Sequence, residues 1–197
     1  MPVQLTAHTG RVVPLRRSDV DTDQIIPAEF CKELTKTGYA KGLFAHWRAR
    51  GGFVLDDPAR AGASILVAGR NFGTGSSREH AVWALRDWGF AAVVAVDYGD
   101  IFLRNALKNG LLAVALDEGS VAELADRAEA DPAFELTVDL EGREVRAPGF
   151  RRSFRIDDRA RWLLLNGLDD IAVTLGRDDR IRAYEQARPD WLPVVGR

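Results

Sequence analysis

The fold of this 197-residue sequence is organised around one stretch, Gly69-Arg70-Asn71-Phe72-Gly73-Thr74-Gly75-Ser76-Ser77-Arg78-Glu79-His80. The apolar run Ser64–Ala68 precedes it and predicts a buried strand. The helical spacing of apolar residues up to Trp88 predicts a helix over 77–88. A glycine-rich turn between a strand and a helix leaves the first helical N–H groups free to bind an anion. The stretch therefore predicts an active-site loop.

The same alternation of strand and helix patterns continues beyond this loop. The apolar run Ala91–Val96 predicts a second buried strand, and Leu111–Leu116 predicts a third. Between them, a helix is predicted from Asp100 to Lys108, ended by Asn109-Gly110. The order β-α-β-α-β predicts parallel strands joined by right-handed crossovers.

Smaller elements are predicted on either side of this unit. They are a strand at Arg11–Leu15 with Pro14 at an edge or an end, a helix opened by a Ser120–Glu123 capping box and running to about Ala130, a hairpin of Phe134–Leu140 and Arg143–Arg146, and helices at Asp157–Asn166 (capped by Gly167) and Asp178–Ala187. The fold class is therefore α/β. One domain is expected over residues 1–150, with a C-terminal helical extension, 151–197, packed on it.

Composition limits the class of function. The chain is 46% hydrophobic and 28% charged, which is typical of a soluble globular protein. A formal charge of −2, with no block of like charges, gives no electrostatic reason to expect a nucleic-acid or membrane partner. No apolar run approaches the length of a membrane span, and residues 1–11 lack the apolar centre of a signal peptide. A cytoplasmic location is expected.

Cys31 is the only cysteine, so an internal disulfide is excluded. One thiolate also cannot hold an iron–sulfur cluster, which needs three or four. The histidines, His8, His46 and His80, show no ligand spacing, which argues against a structural zinc site. No cofactor or metal is expected in this chain, and any metal chemistry has to come from a partner.

Two further segments are candidates for loops. Asp19–Pro27 has acidic residues at alternate positions, and on spacing alone a solvated turn with Asx-type hydrogen bonds is favoured. An EF-hand is excluded because the required glycine and closing glutamate are absent. Ala28–Gly52 predicts a mobile loop followed by a short helix through Leu43, Phe44 and Trp47.

Three known strand–loop–helix motifs fail in the residues that carry their chemistry. Thr74 occupies the position of the second glycine of a Walker A loop, and Arg78 occupies that of the third glycine of a dinucleotide fingerprint. The Gly-x-Ser-x-Gly nucleophile elbow is absent. Nucleotide binding and serine-hydrolase chemistry therefore have no support at this loop.

Ser76 and Glu79 have capping-box spacing, and taken alone Ser76 is expected to be a plain helix N-cap. A cap, however, needs one serine, whereas two serines, an arginine and three glycines converge here. Arg78 in the first turn opposes the helix dipole at a cost of about 0.3–1 kcal/mol, which a bound anion would offset. His80 is expected to be a packing or orienting residue.

The motif Gly69–His80, with Asp21–Pro27 upstream, resembles the small subunits of 3-isopropylmalate dehydratases, the swivelling-domain half of the aconitase superfamily. The resemblance continues through four shorter stretches and so covers nearly the whole chain: Asp100–Phe102, Lys108–Leu112, Phe154–Asp157 and Gly167–Ile171. It implies a swivelling β/β/α domain, and the C-terminal helices resemble the longer, bacterial type of small subunit.

The resemblance also implies a function. A separate large subunit would bind a [4Fe–4S] cluster, and the two subunits together would convert 2-isopropylmalate, a small dicarboxylate, through 2-isopropylmaleate to 3-isopropylmalate in leucine biosynthesis. Ser76 matches the serine that removes the carbon-bound proton as an alkoxide. The substrate-binding positions implied by the match are Ser77, Arg78, Asp23, Thr22 and Gly75.

Two residues depart from the family pattern, since Cys31 replaces an aliphatic residue and Val82 replaces a proline. Cys31, expected to be a packing residue, falls in the region that resembles the substrate-selecting loop. A related hydro-lyase acting on homoaconitate, citraconate or dimethylmalate is therefore an alternative, to be decided by residues 30–42. A non-catalytic ligand-binding module on a Rossmann-like core is the alternative from another class, disfavoured by the missing nucleotide signatures.

Overall fold

The computed structural model describes residues 4–32, 35–189 and 191. These residues form one seven-stranded sheet and eight α-helices. The strands are β1 (Ala7–Leu15), β2 (Ile65–Ala68), β3 (Ala92–Ala95), β4 (Leu112–Ala115), β5 (Glu135–Asp139), β6 (Glu144–Ala147) and β7 (Phe150–Ser153). The helices are α1 (Thr22–Ile25), α2 (Ala45–Arg48), α3 (Glu79–Trp88), α4 (Asp100–Lys108), α5 (Glu118–Ala130), α6 (Asp158–Asn166), α7 (Asp170–Leu175) and α8 (Asp178–Gln186).

The sheet has the strand order β4-β3-β2-β1-β5-β6-β7. Strands β1 to β4 pair in parallel. Strands β5, β6 and β7 extend the sheet from β1 in antiparallel pairs. The predicted α/β class, with its parallel β-α-β-α-β unit, added antiparallel strands and C-terminal helices, is confirmed.

Alternate residues of the parallel strands face two separate cores. Leu66 and Val93 pack on the side of α3 and α4, whereas Ile65 and Val94 pack on the side of α5. A parallel sheet covered on both faces buries every residue of its strands, which explains why the strands read as unbroken apolar runs.

The prediction for Pro14 left an edge strand or a strand end open, and the structure selects the end, because β1 lies in the centre of the sheet. Pro14 is the second-last residue of β1 and lies beside Val67 of β2. The antiparallel pairing with β5 ends at Arg11, and Val12 still donates to Phe134 O (3.1 Å). Donors alternate between the two sides of a strand, so the missing N–H of Pro14 falls on the side where pairing has already ended.

Two predicted helix caps are corrected. Helix α5 begins at Glu118 with Asp117 as its N-cap, and the Asp117 carboxylate accepts bonds from both the amide (2.9 Å) and the hydroxyl (2.6 Å) of Ser120. Ser120 therefore lies inside the helix and does not open it. Helix α3 begins at Glu79 after Arg78, so Ser76 is not its N-cap. The serine pair lies in the turn that precedes the helix.

The C-terminal helices agree with the sequence prediction at both ends. Asp157 caps α6 by accepting from the Ala160 amide (2.9 Å), and Gly167 ends it with φ +62°. Helix α8 is also as predicted, whereas the short helix α7 and the edge strand β7 were not predicted. Strand β7 begins at Phe150, so the expected boundary at residues 150/151 falls inside it. No residue of α7 or α8 is buried.

The segment between β1 and β2 contains short 3₁₀ turns at Ala28–Phe30 and Ala40–Gly42, followed by α2. Leu43 and Phe44, predicted to lie in the helix, precede it and are wholly buried, as is Tyr39. Residues 33 and 34 of the expected mobile loop lie outside the described residues.

Gly73 fixes how closely the loop after β2 packs against α4. Its backbone has φ +74°, and a Cβ built there would lie 2.2 Å from Cγ of Phe102. Its amide donates to Val20 O (2.7 Å). Only glycine satisfies both the left-handed backbone and the contact with Phe102.

Replacing Gly73 with alanine is expected to lower the free energy of unfolding by about 2–5 kcal/mol, since left-handed strain and overpacking against Phe102 add together. The control is Gly149→Ala, which has the same left-handed backbone (φ +68°) and no atom within 4 Å. It should cost only about 1–2 kcal/mol. Urea unfolding of the isolated chain measures both, and equal losses would contradict the role given to Phe102.

Candidate active site

Two loops that are far apart in the sequence run side by side at the carboxyl ends of β1 and β2. Residues 17–22 and 69–74 are joined by four main-chain hydrogen bonds. These are Gly69 N–H to Arg17 O (2.9 Å), Asp19 N–H to Arg70 O (2.9 Å), Gly73 N–H to Val20 O (2.7 Å) and Thr22 N–H to Thr74 O (3.0 Å). The two motifs singled out from the sequence therefore form one structure.

Thr22 lies directly beneath Ser76. Its hydroxyl donates to the carbonyl oxygen of Ser76 (3.0 Å) and lies 3.3 Å from Ser76 Oγ. Thr22 is 2% exposed, whereas Ser76 is exposed. The side chain that supports the serine is therefore buried, whereas Ser76 itself lies at the surface.

The start of α3 offers a row of free donors. Among the described residues, no hydrogen bond uses the amide N–H groups of residues 76–80. Gly75, Ser76 and Ser77 are exposed, and Gly75 has φ +88°. Free N–H groups and the positive end of the helix dipole together favour an anion at this position.

Arg78 is held by the upstream loop. Its Nη1 donates to the Asp23 carboxylate (2.5 Å) and to Ile26 O (3.1 Å), and its side chain is 19% exposed. Arg78 precedes the first turn of α3, so the expected clash with the helix dipole is corrected: the guanidinium reaches back to Asp23. Within the described part of the chain, Nε and Nη2 of Arg78 form no hydrogen bond. This unused edge can accept a carboxylate in a bidentate geometry.

The chain itself offers no metal site among its described residues, because no group of three or more His, Cys, Asp or Glu side chains is placed to hold an ion. The single Cys31 also does not fit the ligand set of an iron–sulfur cluster. No step is therefore assigned to a metal held by this chain.

Comparisons with known proteins agree with this geometry. The family model of the aconitase C-terminal domain matches residues 2–119, one described as LeuD_N matches 122–158, and that of the C-terminal domain of the 3-isopropylmalate dehydratase small subunit matches 170–193. The curated small subunits of 3-isopropylmalate dehydratase from Acidothermus cellulolyticus and Frankia casuarinae are 61% and 58% identical to this chain over 190 residues. The alignments cover 96% of this chain and 96% and 97% of those proteins.

The chain belongs to the 3-isopropylmalate dehydratase small subunits. A solved structure agrees, the crystal structure of 3-isopropylmalate dehydratase (leuD) from Methanocaldococcus jannaschii. It is 26% identical with a TM-score of 0.66, and the match covers 91% of this chain and 99% of that one.

The first two residues of α3, which follow the serine loop directly, anchor the start of this helix. His80 packs edge-on against Tyr39 and Trp83, with ring centroids 5.2 and 4.8 Å away, as expected of a packing residue. Glu79, the first residue of α3, accepts a hydrogen bond from Nδ2 of Asn109 (2.6 Å). The sequence marked Asn109 only as the end of α4, so this link to the site was missed.

Cys31 packs against the core beside this site, as predicted, and lies close enough to sense its charges. Burial raises the pKa of the Cys31 thiol; the positive charge of Arg78 opposes the rise, and the negative charge of Asp23 adds to it. The thiol titration therefore reports on the Asp23–Arg78 pair without any need for activity.

Alkylation of Cys31 by iodoacetamide is expected to have its pH midpoint above that of the unfolded chain, because only the thiolate reacts. Arg78→Gln should raise the midpoint further, and Asp23→Asn should lower it. A full pH profile separates the midpoint from accessibility, which changes only the plateau. Identical midpoints in the two variants would contradict the described proximity.

Proposed function

We propose that this chain provides the serine base and the carboxylate-binding half of an active site shared with a large subunit. Its family acts as 3-isopropylmalate dehydratase, a hydro-lyase of leucine biosynthesis. The reaction removes water from 2-isopropylmalate to give 2-isopropylmaleate, and returns it with the opposite regiochemistry to give 3-isopropylmalate. The observation that carries the proposal is the exposed hydroxyl of Ser76, which lies above Thr22 at the unpaired start of α3.

A serine hydroxyl is too weak an acid to ionise without help near neutral pH, so the surroundings have to stabilise its alkoxide. The free N–H groups of residues 76–80 and the dipole of α3 provide this stabilisation. The hydroxyl of Thr22 can turn from the Ser76 carbonyl to Ser76 Oγ, since both lie within 3.3 Å. Ser76 then accepts the carbon-bound proton of the substrate and returns it in the hydration step.

A substrate carboxylate is bound, in this proposal, by the unused edge of Arg78 and the hydroxyl of Ser77. Gly75 lets the substrate approach the backbone closely because it has no side chain. The role proposed for Asp23 is to hold Arg78 in place. The [4Fe–4S] cluster proposed on the large subunit would act as a Lewis acid toward the leaving hydroxyl.

The proposal extends to organisation and location. The aconitase-like swivelling domain, expected over residues 1–150, continues to the end of β7 at Ser153, and the helices α6 to α8 form the extension on it. Among the described residues, no helix is long and apolar enough to cross a membrane. We place the enzyme in the cytoplasm.

Hydration of 2-isopropylmaleate is expected only when this chain is mixed anaerobically with the cluster-loaded large subunit. Turnover of another unsaturated diacid instead would keep the mechanism and change the substrate to that of a related hydro-lyase. Absence of turnover with any diacid, despite an intact cluster and a formed complex, would overturn the catalytic assignment.

Ser76→Ala is expected to lower kcat by about 10²–10⁴-fold, because the base is removed while the substrate contacts remain. Affinity for the large subunit and the unfolding midpoint should stay unchanged, since the side chain is exposed. The matched control is Ser77→Ala, which should mainly raise KM. A kcat for Ser76→Ala near that of the wild type would contradict the assignment.

Thr22→Val keeps the shape of the buried side chain and removes its hydroxyl. The expected loss in kcat is about 10- to 100-fold, the value of one hydrogen bond to a charged oxygen. Thr22→Ser restores the donor and should recover most of the activity. Steady-state kinetics of the assembled enzyme measure both variants, and equal losses would show that packing, not the hydroxyl, is what matters.

A further inference from the structure

A half-open cavity of about 650 Å³ lies between α4 and α6. Leu103 and Leu107 of α4, together with Ile156 and Leu163, form its apolar lining. No residue of the serine loop lines this cavity. We call this cavity the basic groove because four cationic side chains line it against two carboxylates, those of Asp157 and Asp170.

Two of these cations have no partner among the described residues. Lys108 and Arg159 both pair with Asp170, at 3.2 and 3.4 Å. Arg104 and Arg155 also line the basic groove, and neither guanidinium group forms a hydrogen bond or an ion pair with any residue that the structure describes. Two unpaired guanidinium groups beside an apolar surface are complementary to an aliphatic segment that carries carboxylates.

The basic groove adjoins a second cavity that reaches the start of α3, next to the serine loop. This second cavity, of about 440 Å³, shares Lys108, Leu163 and Asp170 with it and extends to Glu79, the first residue of α3. Ile171, on the rim of this second cavity, is 70% exposed. Three sequence stretches that the serine chemistry leaves unexplained, at 108–112, 154–157 and 167–171, contribute residues to these two cavities.

We propose that the basic groove is a docking site for an acidic, aliphatic segment of the large subunit. The inference rests on the proposed two-subunit enzyme, in which the large subunit has to cover the exposed serine loop. A subunit that covered Ser76 and extended past Glu79 would reach the adjoining cavity, and through it the basic groove. The apolar lining provides the buried contact, and Arg104 and Arg155 provide charge-assisted bonds at its rim.

The test is the double variant Arg104→Glu/Arg155→Glu, measured by titration calorimetry against the large subunit. Its Kd is expected to be at least about tenfold higher than that of the wild type at about 50 mM salt, because opposite charges become like charges. The difference should shrink at about 500 mM salt, where rim charges are screened. At saturating large subunit, kcat should match the wild type, since neither residue lies in the serine loop.

Arg151→Glu is the control for a charge reversal outside the two cavities; it lies on the edge strand β7 and reverses one charge, whereas the double variant reverses two. Its Kd should equal that of the wild type. Arg104→Gln/Arg155→Gln removes the charges without reversing them and should give an intermediate Kd, which guards against a fold defect in the reversed pair. Thermal unfolding checks that all variants are folded.

A Kd for the double variant equal to that of the wild type or of Arg151→Glu would overturn the proposal. The proposal would also be overturned if mass photometry showed a homodimer of the isolated wild-type chain and no homodimer of the double variant. The groove would then bind a second copy of this chain. A wild-type complex that forms but has no turnover contradicts the proposed function and leaves the Kd comparison valid, so the two failures are distinguishable.

Discussion

The pairing of residues 17–22 with 69–74 is the constraint on which the candidate site depends. Four main-chain hydrogen bonds hold the two loops in register, and they place Thr22 under Ser76. The loops follow adjacent parallel strands, β1 and β2, so the sheet itself sets their separation. Gly73 completes the arrangement because it lets the second loop pack against Phe102.

The candidate site is open on the side of its unused hydrogen-bond donors. Its donors, its serine pair and one edge of Arg78 are unused by the described part of the chain, and water can satisfy them while the chain is alone. Closure by a second subunit would exclude that water and strengthen every electrostatic contact with a developing alkoxide. If the site is shared, as proposed, activity depends on assembly because only the complex lowers the dielectric around the serine loop.

Local signals predicted much of the fold. Helix α4 was predicted with its observed ends, and α6 with its C-terminal cap and with its start to within one residue, because a clear stop signal follows each helix. The caps at Ser120 and Ser76 were wrong for a different reason, since a capping box identifies spacing and not the partner that wins. At α5 the carboxylate of Asp117 accepts from the amide of Ser120, so Asp117 is the cap and Ser120 lies in the first turn. Strand β7 was missed because only Phe150 in it is buried.

The sequence by itself determined the β-α-β-α-β unit, the polar chemistry of residues 69–80 and, through its single cysteine, the need for a partner in any cluster chemistry. Each of these depends on local order or on a count of residues. Only the tertiary structure decided that Thr22 supports Ser76, that Asp23 holds Arg78, and that Asn109 holds Glu79. Periodicity encodes which face of an element is buried, whereas contacts between distant loops depend on strand order, which local patterns do not contain.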